Sequence, residues 1–309
     1  MEISRWRKPP DSKEVTAFAS AMAMAAEVKQ TPPVARLTAP SRSMWYCVFG
    51  ICVASAASLF AGPDWPASLS KDPPGNFPQL RPLHGKYVFG WSGITAATAE
   101  VHFSHPGPDR CQIEGSGRTV GLARALWKYD VNYRALAQAS TLRPIESTEV
   151  DTYRAKKITD HLVFTATGVR RSRLETPAPA GGQSKPKDWN FPNLFDLQTS
   201  ALYLRSQPLQ PKSVYRLVVY PATNAYVATA TVLGREKISV RAGSYNAIKV
   251  DLQLKKVDKD LELQPHKKFR RATIWISDDS DRLVLRIEAQ VFIGTVFTEL
   301  QSVYFDESK

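Results

Sequence analysis

Cysteine is scarce in this chain of 309 residues, which contains only Cys47, Cys52 and Cys111. Cys47 and Cys52 lie inside an apolar segment near the N-terminus, and cleavage of an export signal there would remove both of them. Cys111 would then be alone, so no disulfide within the mature chain is predicted. The mature protein must be stabilised by its hydrophobic core, and a content of 43% hydrophobic residues is sufficient to build one.

The common sequence motifs of catalysis and nucleotide binding are also missing. The chain contains no Gly-x-Ser-x-Gly motif, which marks the commonest serine-hydrolase nucleophile, and no phosphate-binding loop. Gly115, Gly117 and Gly121 resemble a dinucleotide-binding loop, but the third glycine comes one residue late and no βαβ pattern surrounds it. These glycines therefore predict a hairpin or a loop.

Histidine is present at five positions, none of which predicts a metal site. His102 and His105 are three residues apart and would face opposite sides of a strand, so they are not expected to share an ion. His84, His161 and His266 are isolated in the sequence. The sequence predicts no catalytic residue, no metal ligand and no cofactor.

An acidic cluster at Asp278, Asp279 and Asp281 invites comparison with a calcium loop. Counting from Asp279, the sixth position is Val284 and the twelfth is Gln290, where an EF-hand requires glycine and glutamate. Aspartate commonly hydrogen-bonds to its own backbone in tight turns. The cluster is therefore predicted to form a turn between two strands.

The net charge of +12 attracts nucleic acid, anionic lipid and acidic polysaccharide alike. The basic residues are scattered, apart from short clusters at 170–173 and 267–271. Neither cluster is interleaved with aromatic residues in the manner of a nucleic-acid-binding module. Both are predicted to be solvated faces of strands or loops, and no nucleic-acid partner is expected.

Residues 44–61 form an uncharged apolar run of eighteen positions, which follows Arg36 and Arg42 and is rich in small residues at 54–58. This order is typical of a signal peptide, and cleavage after Ala61 would suit it. Eighteen apolar residues also suffice to span a bilayer, so an uncleaved membrane anchor is the alternative. Either way, the protein is expected in the periplasm or the cell envelope, in the second case with membrane association through residues 44–61.

The first 43 residues show no sustained periodicity and no fold is predicted for them. They are either an unstructured leader or precede the true translation start, for which Met22, Met24 and Met44 are candidates. Residues 62–84 contain six prolines and are predicted to be an extended linker. A single β domain is predicted over 85–306.

Alternation of polar and apolar residues dominates this domain. The sharpest example is 127–134, where Trp127, Tyr129, Val131 and Tyr133 share one face and polar residues occupy the other. Comparable runs, bounded by turn residues, occur at 86–91, 97–103, 159–166, 214–220, 225–233, 237–241, 248–254, 272–276, 283–292 and 296–304.

These runs predict an all-β fold, a large antiparallel β-sandwich or partly open β-barrel with one short helix. Both architectures show the same alternation, so both stay open. The helix is predicted over 193–205, where apolar residues have helical spacing and Asn193 is placed to cap. Gly234 is expected to form a tight hairpin between the runs 225–233 and 237–241.

The order of several short pieces resembles the DUF3108 family of exported bacterial proteins of unknown function. The pieces are Tyr87-x-x-x-Trp91-x-Gly93-Ile94-x-Ala96, then Ala201-Leu-Tyr203-Leu-Arg205, Gly243-x-x-Asn246-Ala247-x-Lys249, and Trp275-Ile-Ser277-Asp278-Asp279-x-x-Arg282 followed by Gly294-x-Val296 and Leu300. The resemblance covers nearly all of residues 84–304. It implies an exported, β-rich domain with no established reaction.

Aromatic residues are concentrated in or beside the predicted strands and helix. They could line a cavity for an apolar or amphipathic ligand, or they could belong to an ordinary β core. On the first interpretation, the predicted binding residues are Trp91, Trp127, Tyr129, Tyr203, Arg205 and Trp275.

Three functions are consistent with these features. The leading hypothesis is a non-enzymatic envelope protein that binds a lipid-like molecule, a glycan or another envelope protein. The second is a hydrolase that uses Asp278, Asp279 or Asp130, since glycosidase chemistry requires two opposed carboxylates. The third is an assembly or structural factor that acts through an exposed sheet edge or the proline-rich linker.

Overall fold

The computed structural model describes residues 64–75, 80–91, 93–266, 269–291 and 294–306. The predicted leader 1–43 and the predicted signal peptide or anchor 44–61 lie outside these residues. Within the described ranges, no helix combines the length and the apolar character needed to cross a membrane.

The described residues form fifteen β-strands. In chain order these are β1 (Leu83–Trp91), β2 (Ile94–Gly107), β3 (Arg110–Thr119), β4 (Tyr129–Gln138), β5 (Pro144–Tyr153), β6 (Lys156–Thr165), β7 (Gly168–Thr176), β8 (Lys187–Asn190), β9 (Val214–Val219), β10 (Ala225–Val240), β11 (Gly243–Val257), β12 (Leu263–Pro265), β13 (Phe269–Ser277), β14 (Val284–Val291) and β15 (Gly294–Phe305). They make one sheet in the order β8-β7-β6-β5-β4-β3-β2-β1-β15-β14-β13-β11-β10-β9, with β12 paired to β11. Every strand pairing is antiparallel.

The two edges of this sheet, β8 and β9, approach each other through the segment that follows β8. The Phe195 amide donates to the Val218 carbonyl at 2.9 Å, and the Tyr220 amide donates to the Phe195 carbonyl at 2.8 Å. The ring of Trp189 on β8 stacks on that of Tyr220, with centroids 5.9 Å apart. One bridge closes the sheet in place of a full strand ladder. The all-β prediction is confirmed, and of its two architectures the structure is the partly open barrel.

Alternation along each strand separates an inner face from an outer face. On β1, Leu83, Tyr87 and Phe89 line the interior of the barrel. On β4, Tyr129, Val131 and Tyr133 line it as well, as their shared face in the sequence predicts. Trp127, which shares the same pattern, lies just before the strand because β4 begins at Tyr129.

Two short helices interrupt the strands, α1 (Gly121–Leu126) and α2 (Leu197–Ser206). The predicted helix 193–205 corresponds to α2, but Asn193 is not its cap. Asp196 caps the helix, because its Oδ1 accepts a hydrogen bond from the Thr199 amide at 2.7 Å.

Helix α2 packs against the inner face of the barrel. Its Leu202 and Tyr203 belong to a buried cluster that also contains Phe103 of β2, Cys111 of β3 and Leu217 of β9. Burial of each large apolar side chain contributes about 1.5–3 kcal/mol. The helix therefore joins strands that are far apart in the sheet order, and it forms a wall of the interior.

The hairpin predicted at Gly234 is wrong. Strand β10 runs without a break through this position, and Gly234 lies at a bulge in its pairing with β11. The turn comes later, between Val240 and Gly243, which pair across it. Glycine inside a strand often marks a bulge, and a run of alternating residues on both sides of it resembles a hairpin in the sequence.

The hairpin or loop predicted at Gly115 and Gly117 is also wrong, because both glycines lie within β3. Gly115 pairs with Tyr133 of β4, and Gly117 pairs with Val131. A Cβ atom at Gly115 would overlap the Tyr133 ring. Glycine is required here for the packing of an aromatic ring over the neighbouring strand.

The described residues of the proline-rich segment that precede β1 pack against the β domain. The Trp65 indole donates to the Leu261 carbonyl at 2.7 Å. Further along, the Ser70 amide donates to the Arg216 carbonyl at 2.9 Å, which places the segment beside the edge strand β9. This segment therefore covers backbone groups that an open edge would otherwise leave exposed.

Candidate functional site

A cavity of about 290 Å³ lies inside the rolled sheet. Apolar side chains dominate its wall, among them Leu83, Phe89, Val101, Ile113, Leu217, Leu252 and Ile274. They come from strands on opposite sides of the barrel, and each is an inward-facing residue of its strand. Ligand sites are typically concave, apolar and provided with a few polar groups that set the orientation of the ligand.

Helix α2 supplies one wall of the cavity. Leu197, Ala201 and Leu204, three of the residues whose spacing predicts the helix, line it. Ala201 is exposed although α2 packs inside the barrel, because its surface faces the cavity. A larger side chain at position 201 would therefore occupy part of the cavity.

A polar row crosses the inner face of four neighbouring strands. Tyr133 on β4 is paired with Glu149 on β5, which is paired with Asp160 on β6, which is paired with Arg173 on β7. Directly paired residues point to the same face of an antiparallel sheet. The register thus brings two carboxyl groups, a phenol and a guanidinium together inside the barrel.

Asp160 is the best-paired carboxylate of this row. Its side chain is 4% exposed, and both of its oxygens accept hydrogen bonds from Arg173, from Nε at 2.9 Å and from Nη2 at 2.6 Å. Arg171 adds a third bond from Nε at 2.8 Å. Two guanidinium groups therefore balance the charge of Asp160, as a buried carboxylate requires.

Glu149 differs, because no hydrogen bond within the described part of the chain holds its carboxyl group. The side chain lines the cavity. Burial is the main cause that raises its pKa to about 8, the charges of Asp151 and Asp160 raise it further, and Arg173 opposes them. At neutral pH the carboxyl group is therefore mostly protonated, and it can donate a hydrogen bond into the cavity.

Asp151, two residues further along β5, has a partner. The Tyr129 hydroxyl donates a hydrogen bond to its Oδ1. Burial raises the pKa of Asp151, although the bond from Tyr129 lowers it in part, and burial followed by the charge of Asp151 raises the pKa of Tyr129. Tyr129 and Asp151 satisfy each other, so Glu149 is the carboxyl group left available to a ligand.

Arg205 anchors α2 from the other side of the cavity. Its Nε donates to the Arg282 carbonyl at 2.7 Å, and its Nη2 donates to the Asp281 carbonyl at 2.9 Å. Burial lowers the pKa of this guanidinium. Nearby, the Tyr87 hydroxyl donates to the Val284 carbonyl at 3.1 Å, and burial raises the pKa of Tyr87 to about 12. These bonds attach the cavity wall to the segment that joins β13 and β14.

Two of the six predicted binding residues, Tyr129 and Arg205, line the cavity. Trp91 lies at the end of β1, where 43% of its surface is exposed. Trp127 is buried, and its ring stacks on that of Tyr153 with centroids 6.1 Å apart. Their role in binding remains a prediction.

The last two predicted residues are buried outside the cavity lining. The Tyr203 hydroxyl donates to the Asp72 carbonyl at 2.8 Å, which attaches α2 to the N-terminal segment. Trp275 lies on the face of β13 opposite to the cavity-lining Ile274, and its indole donates to Glu236 Oε1 at 2.6 Å. The geometry gives both aromatic rings a packing role.

The acidic cluster after β13 forms the predicted turn. Asp279 Oδ1 accepts hydrogen bonds from the amides of Asp281 and Arg282, at 3.0 and 3.1 Å. Neither Asp278, Asp279 nor Asp130, the carboxylates considered for hydrolase chemistry, belongs to the cavity lining.

The sequence does not predict the part of the polar row that lies on β5, because this strand lacks apolar alternation. Ser147, Glu149 and Asp151 occupy its inner face, where the pattern of a half-buried strand would place apolar residues. Ionisable residues at alternate positions are only a weak indication that one face of a strand is polar and points inward. Only the pairing with Asp160 on β6 shows that they meet inside the barrel.

His84 is isolated in the sequence but not in the fold. His84 on β1 is paired with His102 on β2, and their rings stack with centroids 3.9 Å apart. With Asp306, they form the group of described residues whose side chains could hold a metal ion. The group lies on the outer face of the sheet, opposite to the cavity-lining Leu83 and Val101. Cross-strand pairing of this kind depends on register, which the spacing of histidines in the sequence does not contain.

The sequence matches the profile of a known protein family. The profile described as "Protein of unknown function (DUF3108)" matches residues 86–301, which is more than half of the chain. The chain belongs to the DUF3108 family. The resemblance predicted from the sequence is thereby confirmed. No match is found among curated proteins.

Three solved structures align with this chain at low sequence identity. A β-barrel-like protein of the DUF1849 family from Brucella abortus has a TM-score of 0.53 and 10% identity, over 75% of this chain and 100% of that one. A candidate lipoprotein from Parabacteroides distasonis has a TM-score of 0.33 and 11% identity, over 76% and 100%. A candidate exported protein with a YmcC-like fold from Bacteroides fragilis has a TM-score of 0.31 and 10% identity, over 74% and 98%. The first of these supports the barrel-like architecture of this DUF3108 domain.

Proposed function

We propose that this DUF3108 protein is an exported, non-enzymatic binding module for an amphipathic, lipid-like molecule. The apolar part of the ligand lies against the strand walls of the cavity, and its polar part meets Glu149. The observation that carries the proposal is a carboxyl group without a hydrogen bond among the described residues, which faces an apolar cavity inside the barrel.

The apolar wall favours a hydrocarbon chain over a glycan. Side chains such as Phe89, Leu217 and Ile274 offer no hydrogen bonds to the hydroxyl groups of a sugar. Burial of each methylene group contributes about 0.8 kcal/mol, so a chain of about eight methylenes gains roughly 6 kcal/mol before the cost of ordering it. A gain of this size supports reversible binding.

The protonation of Glu149 favours a particular class of polar group. A protonated carboxyl group donates a hydrogen bond, and an ester carbonyl or a hydroxyl oxygen accepts it. An anionic group in the same position would be disfavoured by the carboxyl group of Asp151, whereas the charge of Asp160 is balanced by Arg171 and Arg173. The ligand is therefore an ester or an alcohol with an apolar chain.

The proposed location in the cell envelope supports the same class of ligand. Residues 44–61 have the features of a signal peptide or membrane anchor, and an envelope compartment is bounded by lipid. Exposed apolar residues of α1, namely Leu122 and Leu126, follow cavity-lining residues of β3 by a few positions. They would place the barrel against a membrane surface from which such a ligand is taken up.

Binding of a fluorescent fatty-alcohol probe to the full-length chain tests the proposal. The probe is expected to bind saturably, and Ala201→Trp is expected to weaken it at least tenfold, because the indole enters the cavity. Ala180→Trp, in an exposed loop outside the cavity, serves as the matched control. Absence of saturable binding, or equal binding by both variants, contradicts the proposal.

A further inference from the structure

A second site on the outer face of the barrel is independent of the cavity. We propose that His84, His102 and Asp306 bind a divalent transition-metal ion of the zinc class. The three residues come from β1, from β2 and from the position directly after β15. Their ligand atoms all lie within 4.8 Å of one another.

The distances within the group suit a tetrahedral ion. His84 Nε2 lies 3.2 Å from Asp306 Oδ1, and His102 Nε2 lies 3.4 Å from Asp306 Oδ2. Ligand atoms at 2.0–2.2 Å from a tetrahedral zinc ion are about 3.3 Å apart. Each Nε2 atom thus lies at such a separation from one oxygen of Asp306, and a water molecule would complete the set of ligands.

The surrounding residues hold these side chains in place. The ring of His84 is stacked between those of His102 and Tyr304, at centroid distances of 3.9 and 4.9 Å, and both interplanar angles are 10°. The Asp306 amide donates to the Pro82 carbonyl at 3.1 Å, which fixes the backbone of the third ligand. Because the two imidazole planes are nearly parallel, both rings must turn for their Nε2 lone pairs to point at one ion, while the backbone of Asp306 already lies in place.

A carboxylate also lies behind one of the imidazoles. Glu114 Oε2 is 3.9 Å from His102 Nδ1, the ring nitrogen that faces away from Asp306. Carboxylates that hydrogen-bond to this nitrogen orient metal-binding histidines and increase their basicity, and Glu114 would have to move closer to form that bond. Two imidazoles with one carboxylate favour zinc, copper or nickel over calcium or magnesium, which prefer oxygen ligands alone.

The ion would join the start of the β domain to its end. His84 lies on the second residue of β1, and Asp306 follows the last strand. A ligand that binds only the folded chain increases its stability in proportion to the logarithm of the ligand concentration. Zinc is therefore expected to raise the midpoint of thermal unfolding.

Zinc titration of the tag-free, full-length chain against a chromophoric chelator tests the proposal. The wild type is expected to bind one ion per chain with a Kd below about 10 μM. His102→Ala and Asp306→Asn are each expected to weaken binding at least tenfold and to abolish the rise in the thermal midpoint. His161→Ala, which removes a histidine of β6 outside the group, is the matched control and should bind as the wild type does.

Substitution of Co²⁺ for zinc adds a readout of geometry. The strong visible absorption of a tetrahedral cobalt site is expected for the wild type and for His161→Ala, and it should be lost in Asp306→Asn, a substitution at an exposed position. Equal zinc affinity in Asp306→Asn and the wild type, or absence of binding by the wild type, would overturn the proposal and leave a simple ion pair between these residues.

Discussion

Replacement of Glu149 by glutamine should change how stability depends on pH. The pKa of this carboxyl group is raised from 4.5 to about 8 in the folded chain, with burial as the main cause. Between these values the unfolded chain releases the proton while the folded chain retains it. The folded state then binds more protons, so the free energy of unfolding falls as the pH rises through this window. Below this pH window, Glu149 does not change the free energy of unfolding, and above it the decrease in that free energy is complete.

The size of this loss follows from the same pKa values. At about 1.36 kcal/mol per pH unit, the difference between 4.5 and about 8 corresponds to an upper limit of about 5 kcal/mol. Glu149 is half-buried and lines the cavity, so screening by solvent reduces the effect. We expect a loss of about 2–3 kcal/mol in the wild type that Glu149→Gln does not show.

Urea unfolding at about pH 5, 7 and 9 measures this difference. The variant should match the wild type within about 0.5 kcal/mol at the lowest pH and exceed it by about 2–3 kcal/mol at the highest. Asp196, whose pKa burial raises to about 6, contributes equally to both proteins and cancels. Glu146→Gln, on the outer face of the same strand, should retain the wild-type pH dependence. An unchanged slope in Glu149→Gln would refute the assignment of this carboxyl group as a buried, protonated acid.

Three further substitutions test the barrel around the cavity by urea unfolding at neutral pH. Arg205→Met should lower the free energy of unfolding by about 2–4 kcal/mol, because two carbonyl groups of the segment after β13 lose their donors; no loss would mean that other donors replace it. Asp160→Asn should cost about 3–5 kcal/mol, because Arg171 and Arg173 lose their counter-charge inside the barrel; a loss below about 1 kcal/mol would contradict the pairing. Trp91→Ala should cost less than about 1 kcal/mol because the ring is 43% exposed; a larger loss would place it in the core.

The sequence predicts strands well where one face is apolar. Tyr129, Val131 and Tyr133 alternate with polar residues, and the structure places all three on the cavity wall. The same criterion fails on β5, because Glu149 and Asp151 occupy its inner face. A strand with polar residues on both faces has no periodic hydrophobic signal, so its existence and its chemistry stay hidden until the neighbouring strands are known.

Positions of special backbone geometry are the second source of error. Gly234 interrupts an alternating run in the sequence, but it is accommodated by a bulge within one long strand. Asn193 and Asp196 are both residue types that cap helices, and only Asp196 bonds to the Thr199 amide. In both cases, contacts with other parts of the fold decide between the two conformations, and the local sequence does not show those contacts.

The cavity itself depends on long-range pairing. Leu83 on β1 and Leu252 on β11 face the same space because the sheet rolls until β8 and β9 meet. The same holds for His84 and Asp306, which are brought together by the pairing of the first strand with the last. Of the six residues predicted to bind a ligand, only Tyr129 and Arg205 lie on this wall.

Native mass spectrometry of the chain purified from an envelope fraction without detergent shows whether the cavity holds a ligand. We expect an added mass of an ester or alcohol with an apolar chain on the wild type, which is released by organic solvent and is absent from Ala201→Trp. Recovery of the wild type with no added mass, or of the same mass on Ala201→Trp, would contradict the claim that the cavity beside Glu149 holds a lipid-like ligand.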